Sequence, residues 1–147
     1  MNWSYTHTDK PMKLVVTGEA ESWLPALSQI VGSQWLMTRK VDTDVELLDA
    51  ISSGDIDAAV LDDQSDSELD LLMLLRMIRR VSPSIPVVIV TRNQDRRYLE
   101  AALQLAVFSV VNKPLEFEDL LRQVYNIMIR LAKLIEQSDN IDIDNLD

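Results

Sequence analysis

Short apolar runs alternate with longer amphipathic segments along most of the chain. Five runs have the length of strands: 13–17, 34–40, 58–61, 87–90 and 107–111, of which 34–40 is the most polar. The segments that follow these runs place apolar residues three or four positions apart, as amphipathic helices do. We therefore predict a (βα)5 α/β fold: a doubly wound, parallel five-stranded sheet with helices on both faces.

The helix boundaries are predicted from capping residues and from breaks in the pattern. Ser22 is expected to cap the first helix, which ends near Val31, and Asp95 is expected to cap the fourth. The last helix is expected from about Phe117 to Glu136. Residues 13–136 should therefore form one domain, preceded by a flexible N-terminal arm (1–12) and followed by an acidic disordered tail (137–147).

Composition excludes several classes of protein. A net charge of −10 argues against a nucleic-acid-binding surface, and the lack of cysteine excludes disulfides and thiolate chemistry. One histidine cannot build a His-rich metal site, and no apolar run approaches a membrane span. The first residues lack the features of a signal peptide, so we expect a cytoplasmic protein without membrane or nucleic-acid partners. Only three glycines are present and none forms a phosphate-binding loop, which argues against a flavodoxin-like enzyme or a nucleotide binder.

Three polar residues stand at the ends of three predicted strands. Asp62 follows the run 58–61, Thr91 follows 87–90, and Lys113 follows the fifth strand. The carboxyl ends of parallel strands form the ligand crevice of an open α/β sheet, so these side chains should converge. A carboxylate nucleophile, a hydroxyl and a cation suit phosphoryl chemistry.

Three motifs carry a resemblance to a known family: DAAVLDD at 57–63, PVVIVT at 86–91 and VVNKP at 110–114. In this order within a (βα)5 pattern, they resemble the CheY-like receiver domains of bacterial response regulators, over about residues 13–135. The resemblance implies the flavodoxin-like strand order 2-1-3-4-5 and a role in two-component phosphorelay signalling. It also implies a phosphoacceptor aspartate, a histidine kinase as partner, and a signalling module rather than an enzyme. By the same resemblance, we expect a cis Lys113–Pro114 peptide.

Either Asp62 or Asp63 could be the phosphoacceptor. Counting four apolar residues on from Asp57 reproduces the family spacing at Asp62, whereas counting back from the next helix favours Asp63. We choose Asp62, because alternation along a strand should turn the residue at its end into the crevice and its neighbour away.

The chain departs from the family pattern at the end of the first strand. The resemblance implies two acids there that bind Mg²⁺, but the chain has Thr17 and Gly18, followed by Glu19. Asp62, the backbone carbonyl of Gln64 and Glu19 are therefore the expected ligands of a degenerate magnesium site. Phosphoryl transfer should be slow, because it depends on charge neutralisation. Restoring acids at 17 and 18 should increase Mg²⁺ binding.

Two further expectations concern how the domain passes on its signal. No effector segment is recognised in the sequence, so we expect a partner protein to carry the signal. The alternative is a pseudo-receiver that acts as an interaction module without phosphorylation. In the last helix, an apolar stripe continues beyond what a sheet of this size should cover. It consists of Ile127, Met128, Leu131, Leu134 and Ile135, and we expect it to form a homodimer.

Overall fold

The computed structural model describes residues 10–18, 20–63 and 70–145, with side chains as far as Leu134. The described part contains one parallel sheet, in the order β2-β1-β3-β4-β5. Its strands are β1 (Met12–Val16), β2 (Leu36–Lys40), β3 (Ala58–Asp62), β4 (Val87–Thr91) and β5 (Ser109–Asn112). The helices are α1 (Leu24–Val31), α2 (Asp44–Ser52), α3 (Leu71–Val81), α4 (Arg96–Gln104) and α5 (Phe117–Asn145). The predicted fold class and strand order are confirmed.

Side chains of the sheet alternate between two cores, one on each face. The first core joins the sheet to α1 and α5, and the second core joins it to α2, α3 and α4. In β3, Ala58 and Val60 belong to the first core, whereas Ala59 and Leu61 belong to the second. All five residues of β3 and of β4 are buried. This double burial explains why these strands read as continuous apolar runs rather than as alternating patterns.

Helix starts follow the sequence signals with one exception. Asp95 caps α4 as predicted, with its side chain accepting a hydrogen bond from the backbone N–H of Arg97. Ser22 does not cap α1, because it belongs to a short 3-10 turn (Ala20–Ser22) and Trp23 holds the N-cap position without a side-chain bond. None of the helices in the described ranges is long and apolar enough to span a membrane.

The last helix differs from its prediction in extent and in burial. Its backbone continues to Asn145, beyond the expected end near Glu136, so most of the predicted disordered tail is helical. Ile127 and Met128 are fully buried in the first core, so the expectation that the sheet leaves them uncovered is wrong. Among the described side chains of the predicted α5 stripe, solvent-exposed apolar surface therefore remains only at Leu131, which is half-buried, and at Leu134, which is 54% exposed. The side chain of Ile135 and the arm residues 1–9 lie outside the description.

A single guanidinium joins α3 to the loops before β4 and β5. Arg79 donates from Nε to the carbonyl of Leu105 at 2.8 Å and from its terminal nitrogens to those of Ile85 at 2.7 Å and Ala106 at 3.0 Å. A longer bond of 3.3 Å reaches the carbonyl of Ser82. Ala106 has a φ of +58°, so this guanidinium stabilises a backbone conformation that an alanine rarely adopts.

Candidate functional site

The sheet brings the polar strand ends to one edge through its register. Asp62 is paired with Val90, and the backbone N–H of Asp63 donates to the Val90 carbonyl at 3.1 Å, so Asp63 lies level with Thr91. The backbone N–H of Lys113 donates to the carbonyl of Thr91 at 2.9 Å. The ends of β3, β4 and β5 are therefore side by side, as the sequence predicts for a crevice.

Lys113 links both aspartates. Its ammonium lies 2.5 Å from Oδ1 of Asp62 and 2.9 Å from Oδ1 of Asp63, and its side chain is only 7% exposed. The Lys113–Pro114 peptide bond is cis, as predicted. Burial alone would lower the pKa of Lys113, but the hydrogen bonds to the two carboxylates and their negative charges raise it above its ordinary value. The protonated, positively charged form of Lys113 is therefore favoured in the crevice.

Asp63 collects three hydrogen-bond donors. Its Oδ2 accepts from the Thr91 hydroxyl and from the backbone N–H of Arg92 at 3.1 Å, while Oδ1 accepts from Lys113. Burial would raise the pKa of Asp63, but these bonds outweigh it and the pKa lies below its ordinary value. A hydroxyl, an amide and an ammonium that converge on one carboxylate form a set of donors suited to negatively charged oxygens.

Thr91 is fully buried, and its hydroxyl lies on the Asp63 side of the crevice. It also accepts a hydrogen bond from the backbone N–H of Asn93 at 2.9 Å, which fixes its orientation. Tyr98 lies close enough to hydrogen-bond Thr91, and burial raises the pKa of this phenol. The sequence motifs find Thr91 but give no signal for Tyr98 or for the amide of Arg92.

The two residues that follow β1, Thr17 and Gly18, both contact Asp62. The Thr17 hydroxyl accepts a hydrogen bond from the Asp62 backbone N–H at 3.0 Å, and Thr17 is only 6% exposed. Gly18 has a φ of +76°, and a Cβ at this position would lie 2.3 Å from the Cβ of Asp62 and 2.8 Å from its Cγ. The Asp62 side chain therefore occupies the space that a side chain at residue 18 would need. This overlap argues against the expectation that acids restored at residues 17 and 18 would improve Mg²⁺ binding.

The expected metal ligands are only partly described. Glu19 and Gln64 lie outside the described residues, and within the described ranges no three acidic, histidine or cysteine side chains form a cluster that could hold a metal. Asp62 and Asp63 remain, both bound to Lys113. Mg²⁺ in proteins commonly uses one or two carboxylates together with water, so this pair fits the ion in kind and in number.

A cavity of about 270 Å³ opens beside the crevice on the side of the first core. Asp62 and Lys113 form part of its polar wall, and Trp23 and Leu115 form part of its apolar wall. The Asp62 side of the crevice therefore adjoins a cavity, although the Asp62 side chain itself is only 5% exposed.

Comparisons with known proteins agree with this architecture. The family model described as the response regulator receiver domain matches residues 15–125. A response regulator from Chloroflexus aurantiacus J-10-fl is 20% identical with a TM-score of 0.66, covering 82% of this chain and 99% of that chain. A CheY-like receiver domain protein from Methanospirillum hungatei JF-1 is 17% identical with a TM-score of 0.70, covering 84% and 98%.

A third structure was solved with magnesium in its active site cleft. This receiver domain of the sensor histidine kinase PA1611 from Pseudomonas aeruginosa PAO1 is 17% identical with a TM-score of 0.65, covering 80% of this chain and 98% of that chain. A search of curated proteins found no significant match. At these identities the structures establish the fold alone, whereas the family model spans three quarters of the sequence. The chain therefore belongs to the response regulator receiver domain family.

Proposed function

We propose that this receiver domain of two-component signalling accepts a phosphoryl group on the aspartate pair that ends β3. What supports the proposal is the ammonium of Lys113, which lies within 2.9 Å of both carboxylates, next to the donors Thr91 and Arg92 N–H. The sequence-based choice of Asp62 as the acceptor stays a prediction at this level, because the lysine contacts both aspartates. A cognate histidine kinase would be the phosphoryl donor.

The crevice supplies two of the requirements of phosphoryl transfer. The aspartates offer an anionic oxygen as nucleophile, and Lys113 offers a positive charge for the oxygens of the incoming group. A bound Mg²⁺ would add charge neutralisation, and Asp62 and Asp63 would hold it. The pair lacks the two further acids that the family resemblance implies at residues 17 and 18, so we propose slow transfer that depends only weakly on the ion.

Incubation with acetyl phosphate and Mg²⁺, followed by intact mass measurement, tests the proposal. The protein should slowly gain the mass of one phosphoryl group, and the double variant Asp62→Asn with Asp63→Asn should gain none. Asp49→Asn, which alters an exposed aspartate on α2, is the matched control and should label like the unmodified protein. Equal labelling of the double variant would contradict the proposal.

A phosphorylation-independent pseudo-receiver is the second candidate, and Gly18 is the observation that favours it. The family resemblance implies an acid there, whereas this glycine is packed against Asp62 and leaves no room for one. A folded protein that gains no phosphoryl mass even after long incubation would support this candidate. In either case we propose a signalling module rather than an enzyme, with output through a partner protein.

Homodimerisation through α5 also stays a proposal. The apolar surface that α5 exposes is smaller than the sequence predicts, so the proposal has less support than the sequence alone gives it. Of the α5 stripe, only Leu134 is largely exposed among the described side chains, and Leu131 is half-buried. One exposed leucine contributes about 1.5–3 kcal/mol when it is buried, which is small beside the cost of association.

A further inference from the structure

The two adjacent aspartates lie on opposite faces of the sheet. Val60 and Val90 are in the first core, and Leu61 and Ile89 are in the second. Because side chains alternate along a strand, Asp62 is on the side of the first core. Asp63 and Thr91 follow Leu61 and Ile89 by two residues and are level with each other, so they share the side of the second core.

Among the residues that the structure describes, three donors converge on Asp63. The Thr91 hydroxyl and the Arg92 amide both bind Oδ2 of Asp63, and Lys113 binds its Oδ1. A phosphoryl group on Asp63 would place its oxygens close to all three donors. The Thr91 proton points to Asp63, so the hydroxyl predicted from sequence to assist Asp62 is oriented toward its neighbour.

Access also differs between them. The Asp63 side chain is 22% exposed, whereas that of Asp62 is 5% exposed. Asp62 is held in place from three directions: its N–H by the Thr17 hydroxyl, its side chain against Gly18, and its carboxylate by Lys113. A nucleophile has to approach the phosphorus of the donor. Asp63, the more exposed of the two carboxylates, can do so without moving away from the residues that it contacts.

We propose that Asp63 is the acceptor and that Asp62 is a positioning carboxylate, which holds the Lys113 ammonium beside Asp63. This inference rests on the proposed phosphoryl acceptance. In the reaction, an oxygen of Asp63 forms a bond to the phosphorus of the donor. The bond from phosphorus to the leaving group breaks, and its electron pair departs with that group, which is acetate when acetyl phosphate is the donor. Asp63 becomes an acyl phosphate, and Lys113 remains protonated.

Chemical mapping of the unmodified protein tests the assignment without any variant. After incubation with acetyl phosphate, borohydride reduces an acyl phosphate to an alcohol and so converts the labelled aspartate into homoserine. Peptide fragmentation between residues 62 and 63 then locates it. Homoserine at 63 is expected, and homoserine at 62 would overturn this inference while leaving the proposed function intact. No phosphoryl gain at all would overturn the proposed function itself.

Moving the positioning carboxylate to residue 18, in the loop after β1, tests the role of Asp62. Asp62→Gly alone should label Asp63 several-fold more slowly, because Lys113 loses the partner that holds it. Gly18→Asp combined with Asp62→Gly should restore labelling, since the new side chain starts 2.3 Å from where the Cβ of Asp62 lies. Gly18→Asn in the same background refills the space without a negative charge and should not restore labelling, so equal rescue by asparagine would show that Asp62 acts only by packing. A folded Gly18→Asp double variant without labelling would overturn the inference, and if it does not fold, the mapping decides.

Discussion

Replacing Gly18 by alanine should destabilise the domain far more than a glycine-to-alanine change usually does. The added Cβ would lie 2.3 Å from the Cβ of Asp62, in a backbone conformation with a φ of +76°. An alanine in the left-handed region costs about 1–2 kcal/mol. Overpacking a buried site costs typically about 1–3 kcal/mol more, because Asp62 is held by Lys113 and cannot easily move.

The expected loss is therefore about 2–5 kcal/mol in the free energy of unfolding. For a domain of this size, it corresponds to a fall in Tm of about 4–20 °C. Chemical denaturation followed by circular dichroism measures the first quantity, and thermal denaturation measures the second. Gly54→Ala is the matched control, since Gly54 has a φ of +78° with nothing within 4 Å of an added Cβ, so it carries the backbone cost alone.

A double-mutant cycle isolates the steric part. In the background Asp62→Gly, the two atoms that a Cβ at residue 18 would meet most closely are gone. Gly18→Ala should then cost only as much as Gly54→Ala, which gives a coupling energy of about 1–3 kcal/mol between residues 18 and 62. If Gly18→Ala costs no more than the control in the unmodified protein, the packing of Asp62 against Gly18 is refuted.

Three further outcomes are expected. Arg79→Ala should lower the free energy of unfolding by about 2–4 kcal/mol, because several backbone carbonyls lose their charged donor. Arg80→Ala, at an exposed position on the same helix, is the control and should change the free energy of unfolding little. Equal effects of the two variants in chemical denaturation would contradict this prediction. Because the pKa of Asp63 is lowered in the folded protein, its ionised carboxylate stabilises the fold at pH values above the ordinary pKa of aspartate, about 3.9. The stability difference between the unmodified protein and Asp63→Asn should thus shrink as pH falls through the lower folded pKa, and a pH-independent difference would contradict it. If α5 forms a homodimer, light scattering should detect it and Leu131→Glu with Leu134→Glu should abolish it; a monomer at micromolar concentration would end that proposal.

The sequence predicts those features that depend on local patterns. Strands β3 and β4 are buried on both faces and are continuous apolar runs in the sequence, and each end of the five strands lies within two residues of its prediction. Lys113 and Thr91 were found because strand ends in such a sheet share one edge. The exception at Ser22 has a local cause: the N–H of Trp23 donates to the carbonyl of Ala20, so a tight turn takes the place of the cap. The last helix continued past Glu136 because no proline or glycine follows to end it.

The assignment of Asp62 and Asp63 could not be settled in this way. The side of the sheet that each residue faces depends on the pairing of Asp62 with Val90, a contact between residues far apart in sequence. A shift of one residue reverses every side chain of a strand. Alternation along β3 separates Asp62 from Asp63, and only the register with β4 shows that Thr91 shares the side of Asp63.

Acids introduced at both residues 17 and 18 provide a last test of how this crevice is built. Thr17→Asp keeps an oxygen that can accept from the Asp62 N–H, so it should be tolerated better than Gly18→Asp, whose Cβ overlaps the Asp62 side chain. We expect the double variant to lose stability and to bind Mg²⁺ no more tightly than the unmodified protein, because Asp62 is displaced as the new acids arrive. Thermal denaturation measures the first effect. Titration followed by tryptophan fluorescence, to which Trp23 beside the adjoining cavity contributes, measures the second. A double variant that melts at the original temperature and binds Mg²⁺ more tightly would show that the Asp62 side chain does not need the space that Gly18 leaves to it.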